Sequence, residues 1–325
     1  MRFITELREV YKKIKKADNI LVVIHNQPDG DALSSAAALI ELLEQLDKKY
    51  FAYCYDSPPS IYNFLPHIEK IDSDKKKLFF SQRDLIIVLD CGSLSRTGIA
   101  EEIKKRRSDQ LVIEIDHHIQ VDFYADLSIK DSSFAATAEI IYYFFKVNKL
   151  KINKNVANCI LTGLMTDTGN FLYPATNEKT IQAAAQMLKL GARYPVILDN
   201  TWRNKSLIGL KAWGRAMSRL RINPRYNIAF TVLTEKDLEE NGVGEEELEG
   251  IAGFLSNLYG VKALLFLRER KGGQIKGSLR TTRPEIDVSL LARLLGGGGH
   301  RLASAFLTSG RLQKTERNWQ VADFI

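Results

Sequence analysis

The chain has 325 residues, 45% hydrophobic and 26% charged, which is ordinary usage for a soluble globular protein and enough length for two domains that each bury a core. No apolar stretch reaches the roughly 18 residues that a membrane helix needs. The formal net charge of +7 favours anionic partners without singling out nucleic acid, because much of the excess lies in short runs such as Lys75-Lys76-Lys77 and Lys104-Lys105-Arg106-Arg107 that read as solvated faces. Cys54, Cys91 and Cys159 are odd in number and widely spaced, with no CxxC pair, so reduced thiols and a cytoplasmic location are expected rather than a disulfide frame or a zinc knuckle.

The first nine residues carry acidic charge and no apolar leader core, and read as an amphipathic helix. Residues 19–25 form a short apolar run, followed by the turn Asn26-Gln27-Pro28-Asp29-Gly30 and a small-residue helix from Ala32 to about Leu46. Residues 84–90 and 110–116 are again buried-strand runs, each ending in an aspartate. Helical stretches are expected at 135–146 and 155–165. Strands alternating with helices predict an α/β fold with a mostly parallel sheet covered on both faces. Ligands of such sheets sit at the carboxyl ends of the strands, where His25, Asp90 and Asp116 fall.

A helical stretch over about 180–220, containing Gly191 and Pro195, reads as a connector. Beyond it, extended runs at 226–234, 261–269, 274–281 and 303–308 and a helix around 245–259 predict a smaller α+β domain with a mixed or antiparallel sheet. The expected boundaries are 1–185, 186–222 and 223–325.

The five histidines are His25, His67, His117, His118 and His300, and all but His67 stand beside aspartates or glycines at predicted strand ends. His25, Asp29 and Asp31 lie within seven residues on a turn between strand and helix, and can direct N and O ligands into one small volume; the aspartates would equally serve as turn formers and helix caps. Asp90 is a charge at the edge of an otherwise apolar strand, and Cys91 beside it should point to the other face and pack. Asp116-His117-His118 follows the third strand, where one ring can bind metal while the other faces substrate. Asp167 closes an apolar helix, against the helix dipole, and a nearby divalent ion would offset that; the alternative is a capping turn around Gly169. Together His25, Asp29, Asp31, Asp90, His117 and Asp167 suffice for two divalent ions sharing one bridging carboxylate. Oxygen and imidazole ligands without thiolate fit manganese, with magnesium, cobalt or iron as alternatives. Such a pair suits hydrolysis of a phosphate ester.

In the second domain, Arg280 and the run Gly296-Gly297-Gly298-Gly299-His300 stand between an apolar helix (288–295) and a strand, and suit an anion. Glycine amides can approach a phosphate closely, and Arg280 and His300 add charge-assisted donors.

These pieces, in this order, resemble the DHH phosphoesterase superfamily over nearly the whole chain. The segments PDGDALSS, LDCGSLSRTG, GLMTDTGNF and SLRTT…DVSLLARLLGGGGH are similar to its nanoRNase/pAp-phosphatase branch. The resemblance implies a catalytic DHH domain, a connector and a DHH-associated substrate-binding domain. It implies that His25, Asp29 and Asp90 hold one ion, and Asp31, Asp90, His117 and Asp167 the other. His118 would contact the scissile phosphate or leaving oxygen, and Asp116 would orient His117. Arg280, Gly297, Gly298, Gly299 and His300 would hold the nucleotide phosphate. Ala305 departs from the glycine usual at its position in that branch. The implied activity is hydrolysis of short oligoribonucleotides, linear dinucleotides or pAp, in a soluble protein for which a homodimer is one expected state. The rival readings are a RecJ-type exonuclease on longer single strands, a family II inorganic pyrophosphatase, and a nucleotide-binding regulator without catalysis.

Overall fold

The computed structural model describes residues 2–240, 242–244, 246–248, 250–315 and 319–322. It divides into two compact units, residues 1–203 and 204–325. The first is built on a six-stranded sheet of β1 (Asn19–Ile24), β2 (Lys49–Cys54), β3 (Ile71–Asp72), β4 (Leu85–Leu89), β5 (Leu111–Asp116) and β6 (Leu127–Lys130). The strand order is β3-β2-β1-β4-β5-β6, and every pairing is parallel. Ile24 lies opposite both Cys54 and Leu89, Leu89 opposite Ile115, and Asp116 opposite Lys130, so the carboxyl ends of five strands are level. The order reverses between β1 and β4, which is where a crevice opens in a doubly wound sheet.

The first unit carries α1 (Arg2–Lys16), α2 (Gly30–Gln45), α3 (Ala100–Lys104), α4 (Thr137–Val147), α5 (Lys154–Asp167), α6 (Glu178–Lys189) and α7 (Tyr194–Thr201). Strand residues alternate between the faces. Ile20, Val22, Ile24, Ile87, Leu89, Ile113 and Ile115 join one core with α1, α2, α4 and α5. Leu21, Val23, Ile86, Val88 and Val112 join the other with Ile103 of α3, and Cys91 packs there too. In α1, Leu7, Val10 and Ile14 are buried at helical spacing while its lysines face out.

The small residues of α2 allow a close approach by α5. A Cβ at Gly163 would lie 2.4 Å from Ala138 Cβ, 2.6 Å from Ser34 Oγ and 2.7 Å from Asp31 Oδ1. A Cβ at Gly30 would lie 2.5 Å from Thr166. Glycine at both positions lets α2, α4 and α5 meet just where their acidic residues gather. Away from that point, Glu41 of α2 accepts hydrogen bonds from Asn153 (2.6 Å) and Asn155 (3.0 Å), and lies 2.7 Å from His67 Nε2. His67 thus ties a loop to the helical layer, and the three cysteines are free and buried.

The second unit carries α8 (Leu207–Ser218), β7 (Arg221–Asn223), β8 (Ile228–Leu233), α9 (Glu235–Glu239), α10 (Ile251–Leu255), β9 (Ala263–Arg270), β10 (Gln274–Arg280), α11 (Val288–Leu294), β11 (Gly298–Gly299), β12 (Ala303–Ser309), β13 (Arg311–Lys314) and β14 (Trp319–Ala322). Its six-stranded sheet runs β11-β12-β10-β9-β8-β7, parallel only between β8 and β9, and β13 and β14 form a hairpin. The sheet is therefore mixed, and the fold class is the expected one.

Two helical expectations change. The stretch 180–220 is three helices: the first break holds Gly191 in a left-handed conformation after α6 and Pro195 in the first turn of α7, and the second, after Thr201, ends where Ser206 caps α8. Of the helix expected over 245–259, Glu245 and Glu249 lie outside the described residues, and the rest is a 3-10 turn (Glu246–Leu248) followed by α10, separated at Gly250 with φ 87°. A left-handed residue cannot continue a right-handed helix.

The Glu41 network has a pH signature. Burial pushes its carboxyl up, but hydrogen bonds from Asn155, His67, Asn153 and Gln45 outweigh burial and bring it down to about 2 from the ordinary 4.5. A carboxyl whose folded-state pKa is depressed stabilises the fold where it is ionised in both states, and that contribution fades as pH falls from 4.5 towards 2. Glu41→Gln should cost about 1–3 kcal/mol at neutral pH, and urea titrations at a series of pH values should show the gap closing through that window. His67→Ala, which also removes a hydrogen bond to Glu41, should lower stability in the same titrations.

Candidate functional site

The site is assembled from loops that leave the strand ends. Just past β1, His25 is buried, with Nδ1 2.7 Å from the Asn26 carbonyl. Asp29 caps α2 by accepting from the amides of Asp31 and Ala32, both at 3.1 Å through Oδ1, which leaves Oδ2 3.7 Å from His25 Nε2. The capping role and the ligand role are thus divided between its two oxygens. Asp90 follows β4 with φ +57°, its amide bonded to the Ile115 carbonyl of the neighbouring strand. A left-handed aspartate is mildly strained, and here it sets a carboxylate at the switch point.

Asp31, at 1% exposure, lies against the start of α4: Oδ2 accepts from Thr137 N (2.6 Å) and Oδ1 from Ala138 N (2.9 Å). Asp90 Oδ1 accepts from Thr137 Oγ1 at 2.8 Å. Two buried carboxylates therefore share one helix N-terminus, whose amides and dipole favour negative charge.

The two faces of Asp90 meet different partners. Its Oδ2 is 3.8 Å from His25 Nε2, while its Oδ1 is 3.5 Å from His117 Nε2. His117 Nε2 is also 3.5 Å from Asp167 Oδ2 and 3.9 Å from Asp31 Oδ2. His25, Asp29 and Asp90 thus form one ligand-like group and Asp31, Asp90 and His117 a second, with Asp90 in both. These separations exceed a hydrogen bond and approach the roughly 3–4 Å that divides neighbouring ligands about 2.1 Å from a shared ion. The carboxyls also crowd one another. Burial, then the charges of Asp90, Asp167 and Asp29, push Asp31 well above the usual carboxylate range. Burial raises Asp167 to about 6, with Asp29 and Asp90 adding to the rise and His117 opposing it. Hard oxygen donors, imidazoles and an excess of negative charge fit divalent cations.

One expected role is corrected. The resemblance implies that Asp116 orients His117, but its Oδ1 is 2.7 Å from His118 Nδ1 and accepts from His118 N at 2.9 Å. Its Oδ2 accepts from Gly92 N at 2.8 Å and lies 3.0 Å from Lys130 Nζ. A carboxylate reaches the residue two ahead more readily than its immediate neighbour, whose side chain leaves in another direction. The Nδ1 of His117 instead approaches the Phe134 carbonyl at 3.4 Å.

Arg96 was missed. Its Nη2 is 2.8 Å from His25 Nδ1, the same atom that faces the Asn26 carbonyl. A ring that offers Nε2 to a cation carries its proton on Nδ1, and that proton points to Asn26 rather than to a second donor. The sequence signal is slight: an arginine six residues after the strand-end aspartate.

In the second unit, Arg280 ends β10, with Nη1 donating to the carbonyls of Leu279 (2.9 Å) and Ser304 (3.3 Å). The glycine run is not an open loop. Gly296 closes α11 with φ 76°, and Gly298–Gly299 form the edge strand β11. A Cβ at Gly297 would lie 2.1 Å from the Ala305 carbonyl, and one at Gly299 2.7 Å from that of Ala303, whereas one at Gly298 meets nothing within 4 Å. His300 exchanges backbone hydrogen bonds with Ala303. Ala305 sits mid-strand between Ser278 and Gly298, so a side chain is accommodated there.

Residues 19–164 match the model of the DHH family, N-terminal domain, and residues 226–317 that of the DHHA1 domain. The chain is 30% identical over 302 residues to the bifunctional oligoribonuclease and PAP phosphatase NrnA of Bacillus subtilis, covering 91% of each chain. It is 30% identical over 315 residues to the protein of that name from Thermus thermophilus, covering 95% of this chain and 90% of that one. Among solved structures, an exopolyphosphatase-related protein from Bacteroides fragilis matches with a TM-score of 0.84 at 26% identity, over 93% of this chain and 90% of its own. With both domain types matched in order, and such identity sustained from end to end, the chain belongs to the DHH phosphoesterase family, in its NrnA branch.

Proposed function

We propose that this phosphoesterase hydrolyses short oligoribonucleotides, linear dinucleotides and pAp with two divalent ions, manganese being preferred, in the cytoplasm. The observation that carries the reading is Asp90, whose Oδ2 faces His25 while its Oδ1 faces His117 and, at 3.4 Å, His118, with further carboxylates beside each ring. His25, Asp29 and Asp90 would hold one ion, and Asp31, Asp90, His117 and Asp167 the other. The ions would supply Lewis-acid activation of a water and neutralise charge on the phosphate. His118, held by Asp116, would meet the scissile phosphate or leaving oxygen, and Arg96 would add positive charge at the rim. In the second unit, Arg280, His300 and Gly297–Gly299 would hold the nucleotide end. The full donor set argues against a regulator without catalysis.

A substrate panel of pAp, pApA, RNA of graded length, single-stranded DNA and pyrophosphate tests this assignment. A ligand held by its terminal nucleotide presents one phosphorus in a fixed orientation, so turnover should peak at about two to five nucleotides. Faster degradation of a long single strand at equal end concentration would favour the exonuclease reading instead.

Gly298 separates steric need from substrate approach. Because a side chain there meets open space, Gly298→Val should leave stability within about 0.5 kcal/mol yet raise KM for short substrates about tenfold if the strand lies against the nucleotide. An unchanged KM would remove β11 from the binding site.

The carboxylate crowding makes a third test. A carboxyl raised in the folded state destabilises that state as pH climbs through the window between its two pKa values, here from 3.8 to about 6. Asp167→Asn should therefore stabilise the metal-free protein at pH 7 by about 1–2 kcal/mol, the rise being discounted for partial exposure. The same variant should gain less than wild type in Tm when manganese is added.

A further inference from the structure

Beneath the site lies a buried charge network that the reading above uses only through Asp116. Glu114 and Asp116, two apart on β5, point to one face of the sheet, and their register partners on β6 are Ser128 and Lys130. Lys130 Nζ is 2.9 Å from Glu114 Oε1 and 3.0 Å from Asp116 Oδ2, and donates to the Gly92 carbonyl at 3.0 Å. The side chains of Lys130, Glu114 and Asp116 are 2%, 1% and 0% exposed. Glu114 also accepts from Tyr124 OH (3.1 Å) and Ser128 Oγ (2.8 Å). The ammonium therefore joins the ends of three neighbouring strands: Gly92 beyond β4, Asp116 on β5 and Lys130 itself on β6.

Buried ion pairs seldom stabilise a fold more than apolar residues of similar volume would, so stability alone does not account for this one. What the network does geometrically is fix Asp116. With Lys130 and the Gly92 amide on Oδ2, the carboxylate has one orientation, and in it Oδ1 meets both the amide and Nδ1 of His118. Imidazole held at Nδ1 directs Nε2 away from Asp116. We propose that Lys130 is a positioning residue: by clamping Asp116 and the Gly92 carbonyl together, it sets the orientation in which His118 meets the substrate phosphate. The inference rests on the reading of His118 as a substrate-facing group.

Lys130→Met alone leaves two buried carboxylates without their cation and can prevent folding. The double variant Lys130→Met/Glu114→Gln removes one charge of each sign, retains the packing, and is the deciding protein. In metal-free, 15N-histidine-labelled samples, with His118 assigned through His118→Gln, the His118 ring resonances should shift while those of His25 and His67 stay in place. In the manganese-loaded enzyme, kcat for a short oligoribonucleotide should fall about 10–100-fold, the usual range for loss of an outer-shell partner, with KM and bound metal within twofold of wild type. A folded double variant with the wild-type His118 spectrum, or with wild-type kcat, overturns the inference. If wild type cleaves no phosphoester, the proposed function fails, whereas the metal-free spectra still decide the role of Lys130.

Discussion

Everything at the carboxyl edge of the first sheet depends on keeping several carboxylates in one largely buried volume. Asp31 and Asp90 are 1% exposed, and the partly exposed Asp29 and Asp167 complete the group through His25 and His117. Like charges so close repel strongly where water is scarce. The protein's own counterweights are the N-terminal amides of α4, three imidazoles and the Arg96 guanidinium. Asp31 and Asp167 answer the crowding by keeping their protons to higher pH, and a divalent cation would take the place of those protons.

The surrounding structure can be understood as scaffolding for that concentration of charge. A level parallel register delivers His25, Asp90 and Asp116 to one edge. Glycine at 30 and 163 removes the methyl groups that would hold α5 away from α2 and α4, so that Asp31 and Asp167 flank the same imidazole. The left-handed backbone at Asp90 turns its carboxylate across the switch point. Below them, Lys130 and Glu114 hold Asp116, and through it His118, from the side of the sheet remote from the helices that carry Asp31 and Asp167.

The second unit shows how one sequence feature can answer two demands. Gly297 and Gly299 are sterically required, because their Cα atoms pass close to β12. The tight pairing that excludes side chains also produces a flat, bare edge strand, a surface to which a phosphate can come close. Within the run 296–299, Gly298 alone has neither a close contact nor a left-handed backbone.

The fold class and the chemical identity of the donor set were legible in the sequence. Apolar runs of strand length ending in Asp90 and Asp116, or followed at once by His25, announce parallel strands with polar ends, because a strand buried on both faces can hold charge only where it stops. The breaks near Gly191 and Gly250 were written locally too, but a long helical pattern masked them. Which partner each donor takes was not legible. Asp116 pairs with His118 through local backbone direction, and with Lys130 through a register set by the whole sheet. Arg96 reaches His25 across 71 residues of sequence, and Glu114 reads as a stray acid in an apolar strand until β6 lies beside it. Periodicity along a chain records which face a side chain occupies. The neighbour on that face is decided only when distant strands and helices close against it.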